Sequence, residues 1–209
     1  MKFKGYKKTK YMIENKNYFE ELERKGCTLN KKLKKISIEE MELFLNDNYT
    51  RLVIVDKYNY LIKPILACAL VSSNKNLLES LEKHFEMKVK ITYGYIQIKE
   101  QSFHEFGEDK INAALERNIY FDNHHAWIQF ENGQLLDLNF INSLKYAKEV
   151  LLEEYEFILA DASKVIIPHI ISKWHKLNKK SFFNYRPLYC GNLFSEEMIL
   201  ANYTLKTGL

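Results

Sequence analysis

Three side chains in this sequence are of the types needed for acyl transfer through sulfur: Cys68 in "ILACAL", His125 in "HHAW" and Asp137 in "QLLDLN". A thiol becomes a strong nucleophile when a general base takes its proton. An imidazole serves as that base when a third polar group holds it in one tautomer, so that one ring nitrogen donates and the other accepts. The partial positive charge of a helix N-terminus favours thiolate over thiol. Cys68 near the start of a buried helix, His125 on a strand of the following sheet and Asp137 on the next strand could fill these roles if the fold brings them together. Each residue alone has a plainer reading. Cys68 is a small buried hydrophobe in an apolar run, and His125 is a strand-end histidine capping loop carbonyls. Asp137, set among apolar neighbours, needs partners if it is buried.

The elements that must position these residues are legible as patterns. Pro64 suits the first position of a helix over "PILACALVSSNKNLLESLEKHF", with Leu70, Leu77, Leu78, Leu81 and Phe85 on one apolar face; alternatively Ser72 or Ser73 caps a shorter helix. "KVKITYGYIQI" alternates like a strand, and "HAWIQF" and "QLLDLNF" form a hairpin around the turn signal Asn132-Gly133. Upstream, Ser37 and Glu40 make a capping box for a helix in "SIEEMELFLND", and "TRLVIVDKY" reads as a strand. "EFGEDKINAALERN" reads as a short helix or an ordered loop, while "LKYAKEVLLEEYEFIL" and "VIIPHIISKWHKL" read as helices. A helix feeding a run of antiparallel strands, with further helices, is an α+β order.

These residues resemble the transglutaminase-like branch of the papain-like cysteine hydrolase superfamily over about residues 64–140. "TYGYI" resembles the family's Gly-aromatic strand end, "HAW" (125–127) its histidine strand, and "ENGQLLD" (131–137) its Asp beyond a turn. Small bacterial members are similar in the short His-to-Asp gap and in a "DGxxxDxT" ending, for which this chain has "NGQLLDLN". The resemblance implies a papain-like fold: a buried helix packed on an antiparallel sheet, with extra N- and C-terminal helices here. It also implies a Cys68-His125-Asp137 triad acting on an amide or thioester in a peptide or protein, with no cofactor and no metal. The same bacterial members carry "CxxNA" at the helix start, and "SNKNL" in that place puts Ser73 at the nucleophile position. A hydroxyl there implies a weak enzyme, or an inactive fold that binds a peptide or protein in its cleft.

Strand register leaves the His125–Asp137 partnership open. A two-residue turn at Asn132-Gly133 sets 128 against 137, which puts Asp137 on the face opposite His125 and roughly 10 Å along. A three-residue loop with Gly133 in a left-handed bulge is expected to set 129 against 137, restoring the face but not the distance. Contact requires a wider loop centred near Glu131 or a strongly coiled hairpin. Asn139 is the rival orienter, because the three-residue loop puts it on the His125 face. His124 is the rival base, because the tight turn puts it on the Asp137 face. Adjacent strand residues point to opposite faces, so His124 and His125 do not readily grip one metal ion.

The 209 residues, 46% apolar, suffice for one domain with a real core. The net charge of +4 is uneven: residues 1–35 hold twelve Lys or Arg against four Glu, a balance of +8, leaving −4 for residues 36–209. We read residues 1–35 as a basic N-terminal segment and 36–209 as a single domain. "MKFKGYKKTKY" intersperses cations with aromatics, a pattern suited to nucleic acid or an acidic partner, and equally to a solvated tail. No apolar run is long enough to span a membrane. Three cysteines, Cys27, Cys68 and Cys190, without a CxxC pair, speak against a disulfide framework and for a reducing cytoplasm.

Overall fold

Val89, Ile91 and Tyr93 are buried along the strand whose alternation is clearest in the sequence, and the sheet is built outward from it. The structure is a computed structural model that describes residues 3–4, 12–13, 18–48, 75–98, 101–121, 124–138, 140, 155–161, 165–166, 183–195, 198–199 and 201. In chain order these hold β1 (Phe3–Lys4), β2 (Met12–Ile13), α1 (Tyr18–Arg24), α2 (Ile38–Asp47), α3 (Lys75–Phe85), β3 (Val89–Ile98) and β4 (Gln101–Phe103). There follow α4 (Glu108–Arg117), β5 (His125–Phe130), β6 (Gln134–Asp137), β7 (Tyr155–Glu156), β8 (Ile158–Asp161), β9 (Val165–Ile166) and β10 (Phe183–Cys190). The helices and the antiparallel sheet make the fold α+β.

The main sheet runs β10-β3-β5-β6-β8. On one edge of β3, β5 pairs from Val89 opposite Phe130 to Gly94 opposite His125. β4 continues that same edge, with Ile96 opposite Phe103. β10 pairs along the other edge, and its register shifts between Pro187 and Tyr189. Strand alternation divides β5 between two layers. His125, Trp127 and Gln129 face the layer that holds Tyr18, Leu22 and Tyr185. Ile128 and Phe130 face the layer built by Met41 and Leu45 of α2 and Leu77 and Leu81 of α3.

α2 starts at the expected capping box: Ser37 Oγ accepts from Glu40 N at 3.1 Å and Glu40 Oε2 accepts from Ser37 N at 2.8 Å. The expected strand at 50–58 and the helix start at Pro64 lie outside the described residues. Two helical expectations are corrected in part. Tyr155–Glu156 and Ile158–Asp161 are strands within "EEYEFILAD", and Val165–Ile166 is a strand within "VIIPHIISKWHKL". The reason is tertiary. β6 is buried along its length, so its second edge needs hydrogen-bond partners, and β8 supplies them from Gln134 opposite Asp161 to Asp137 opposite Ile158.

The cysteine expectation is also corrected, because Cys27 and Cys190 are joined in a disulfide across 163 residues. An odd count left this pairing invisible, since only the fold brings the end of α1 against the end of β10. Parts of the basic segment are tied to the rest of the chain: β1 pairs with β7 and β2 with β9. Tyr18, Leu22 and Cys27 are buried, and Arg186 of β10 pairs with Glu21 at 2.9 Å. No helix among the described residues is long and apolar enough to cross a membrane.

Candidate active site

The hairpin loop decides where Asp137 goes. Ile128 stands opposite Leu136 and Gln129 opposite Leu135, so the loop is Glu131, Asn132 and Gly133, centred on Asn132. It is a three-residue loop with Gly133 at φ +87°, the left-handed position that glycine fills without a Cβ penalty. It is centred one residue earlier than expected for such a loop, and the difference matters. Continued to Asp137, the register sets it across from Trp127, on the His125 face and diagonal to His125, within reach of a side-chain contact.

His125 Nε2 and Asp137 Oδ2 are 2.6 Å apart, with the side chains only 2% and 0% exposed. Two further donors meet the carboxylate: Tyr185 Oη–H donates to Oδ2 at 2.8 Å, and the Phe140 backbone N–H donates to Oδ1 at 3.0 Å. A buried carboxylate needs such partners, so the aspartate in an apolar strand is explained by three of them. Carboxylate oxygens only accept, so the Nε2 proton lies on the ring and points at Oδ2. In the neutral imidazole this leaves Nδ1 as the basic nitrogen.

Aromatic rings fix the imidazole on its other sides. Trp127 lies 5.9 Å away at 31°, Phe140 5.8 Å away at 70°, and His104 5.9 Å away at 17°, close to parallel. His104 comes to this place because β4 ends opposite Ile96 where β5 begins opposite Gly94. Its φ of +61° turns the chain off that edge, leaving the ladder to β5. Beneath His125, Trp127 Nε1 donates to Tyr18 Oη at 2.9 Å and Tyr18 donates to Gln129 Oε1 at 2.8 Å. Burial pushes the Tyr18 phenol well above its ordinary value.

The structure thus brings His125 and Asp137 together and separates His124 from them. His124 is fully buried on the other face, donating from Nδ1 to the Phe121 carbonyl at 2.8 Å, with its ring 5.7 Å from Tyr93 and 5.0 Å from Phe194. It is a core histidine, and the face-sharing with Asp137 that made it a rival base belongs to a tight turn that does not form. Cys68, Ser73 and Asn139 lie outside the described residues. From Lys75 on, α3 packs on the face away from His125: Leu77 and Leu81 join the Ile128 layer, and Phe85 lies 6.1 Å from Phe130. Sequence reasoning missed Tyr185 and His104, because nothing local marks either one. Only the pairing of β10 and β4 with β3 carries them to the site.

No family model, curated protein or solved structure matches this chain. No group of three or more His, Cys, Asp or Glu able to hold a metal occurs among the described residues.

Proposed function

We propose that this chain is a transglutaminase-like member of the papain-like cysteine hydrolases, acting at an amide or thioester of a peptide or protein with Cys68 as nucleophile, His125 as general base and Asp137 as orienter. One observation carries the reading: the 2.6 Å bond from His125 Nε2 to a fully buried Asp137. It fixes the tautomer in which Nδ1 takes a proton, and this is the arrangement a base needs. The Cys68 thiol gives its proton to Nδ1 and the thiolate attacks the carbonyl carbon. The imidazolium returns the proton to the departing amine or thiolate, leaving a thioester on Cys68. Water or an amine then attacks the thioester with His125 again as base, and the thiol is restored.

Cys27 and Cys190 are joined, so alkylation of the native chain, which has three cysteines, reads Cys68 alone. Iodoacetamide is expected to label Cys68 about tenfold faster than a small free thiol at neutral pH, and His125→Ala to remove that excess. Labelling of the native protein at the free-thiol rate would sink the proposal.

A second reading is a peptide- or protein-binding member of the same fold with Ser73 at the nucleophile position. From Lys75 on, α3 packs on the face away from His125, which favours a site that binds without a helix-borne nucleophile. This reading has Cys68 alkylated no faster than a free thiol, with peptide binding retained. A role in nucleic-acid binding for the basic segment is a further alternative; within it Arg24, Lys25 and Lys34 pair with Glu20, Glu108 and Glu40. A cytoplasmic setting is the reading that the cysteine pattern in the sequence supports. The Cys27–Cys190 disulfide weighs against it, because such bonds persist mainly in oxidising compartments.

A further inference from the structure

We infer that Tyr185 is a positioning residue that sets the proton affinity of His125 through Asp137. The geometry is specific. Tyr185 Oη–H and His125 Nε2–H both end on the same carboxylate oxygen, Asp137 Oδ2, at 2.8 and 2.6 Å, while Oδ1 is held by the Phe140 N–H. A carboxylate oxygen that accepts two donors divides its electron density between them. What the phenol takes is withheld from the imidazole, so the tyrosine tempers how strongly Asp137 stabilises imidazolium.

The tyrosine is itself held in place. Tyr185 is buried opposite Ile96 on β10, and its ring stands 5.0 Å from Trp127 at 74°. Arg186, its neighbour, is anchored to Glu21 of α1. Among the described residues, the titratable groups facing His125 are Asp137 from β6, Tyr185 from β10 and His104 from the end of β4. Tyr18 of α1 reaches the layer through the Trp127 indole, and burial keeps it protonated. Of these groups, Tyr185 is the one that donates to the oxygen His125 uses.

The consequence for catalysis rests on reading His125 as the base, but the test does not. Histidine resonances of the full-length chain, labelled with 15N and 13C, are followed against pH in the wild type, in Tyr185→Phe and in a chain with 3-fluorotyrosine at 185, a stronger donor. In Tyr185→Phe the His125 midpoint is expected to rise and its ring N–H proton to move downfield. Fluorotyrosine should move both the other way. In an Asp137→Asn background, Tyr185→Phe should move neither. A His125 midpoint and N–H resonance that stay put across the series overturn the inference, as does an equal shift in the Asp137→Asn background. If Tyr185→Phe does not fold, the fluorotyrosine chain decides alone, and if the midpoint falls outside the accessible pH range, the N–H resonance decides. Slow alkylation of Cys68 combined with a moving His125 resonance would remove the proposed activity and leave the role of Tyr185 standing. Fast alkylation with an unmoved resonance would do the reverse.

Discussion

Gly94 of β3 stands opposite His125 of β5 on one edge and opposite Pro187 of β10 on the other. A Cβ there would fall inside contact distance of the Arg186 carbonyl oxygen and 2.7 Å from Trp127 Cη2. This is the glycine of "TYGYI", and the physical reason for a glycine here is the close approach of a backbone and an indole. Gly94→Ala is therefore expected to destabilise the fold by about 1–3 kcal/mol through overpacking. It should also disturb the bond between Trp127 and Tyr18, readable as a change in tryptophan emission alongside a lower urea midpoint. A variant as stable as the parent, with unchanged emission, would show that β10 can step aside. At this scale the sequence singled out His125 and Asp137 but left their partnership open. It was silent on Tyr185, since a tyrosine among the 14 in the chain carries no local sign of its partner.

Among the elements, α2 was the most legible, because a capping box is a local device whose two hydrogen bonds close within four residues. The Glu40 carboxyl is lowered from its ordinary 4.5 to about 2, first by the side-chain bond from Lys34 and next by the Ser37 backbone N–H. A carboxyl lowered on folding adds stability that is fully present above about pH 4.5 and lost as the pH falls through about 2. Urea midpoints of the parent and of Glu40→Gln, compared from pH 6 down to pH 2.5, should therefore converge as the pH drops. A gap that stays constant would mean the charge of Glu40 does not contribute. The hairpin was legible in existence but not in shape. Asn132-Gly133 suits a two-residue turn. The three-residue loop that forms is held from outside the hairpin: Asn30 N donates to the Glu131 carbonyl at 2.7 Å, and Asn132 Nδ2 donates to the Lys34 carbonyl at 2.9 Å. Gln134 adds a bond from the Ile36 N–H at 2.7 Å. A segment about a hundred residues upstream thus sets the register that carries Asp137 to His125. The strand at 158–161 follows the same logic, with the second edge of β6 overriding a helical periodicity.

For the whole molecule, the Cys27–Cys190 bond ties α1 to the strand that carries Tyr185. In the chain-entropy account a bond closing so long a loop contributes toward the upper end of about 2–5 kcal/mol. Reductant is expected to lower the urea midpoint accordingly, and Cys27→Ser/Cys190→Ser should start at the lower value and ignore reductant. A midpoint that does not respond in the parent would mean the two halves hold together without the bond. The basic first 35 residues cannot be removed as a tail, since deletion takes Tyr18, Leu22 and Cys27 out of the core. What the sequence by itself determined is what short-range patterns encode: the α+β order, the capped helix α2, the strands β3, β5 and β6, and a histidine and an aspartate twelve residues apart around one turn. Only the tertiary structure decided the centre of that turn, the meeting of His125 with Asp137, the phenol of Tyr185 on the same oxygen and the pairing of two cysteines. The physical reason is common to all four. Each depends on contacts between segments far apart in the chain, and such contacts leave no periodicity in the residues that make them.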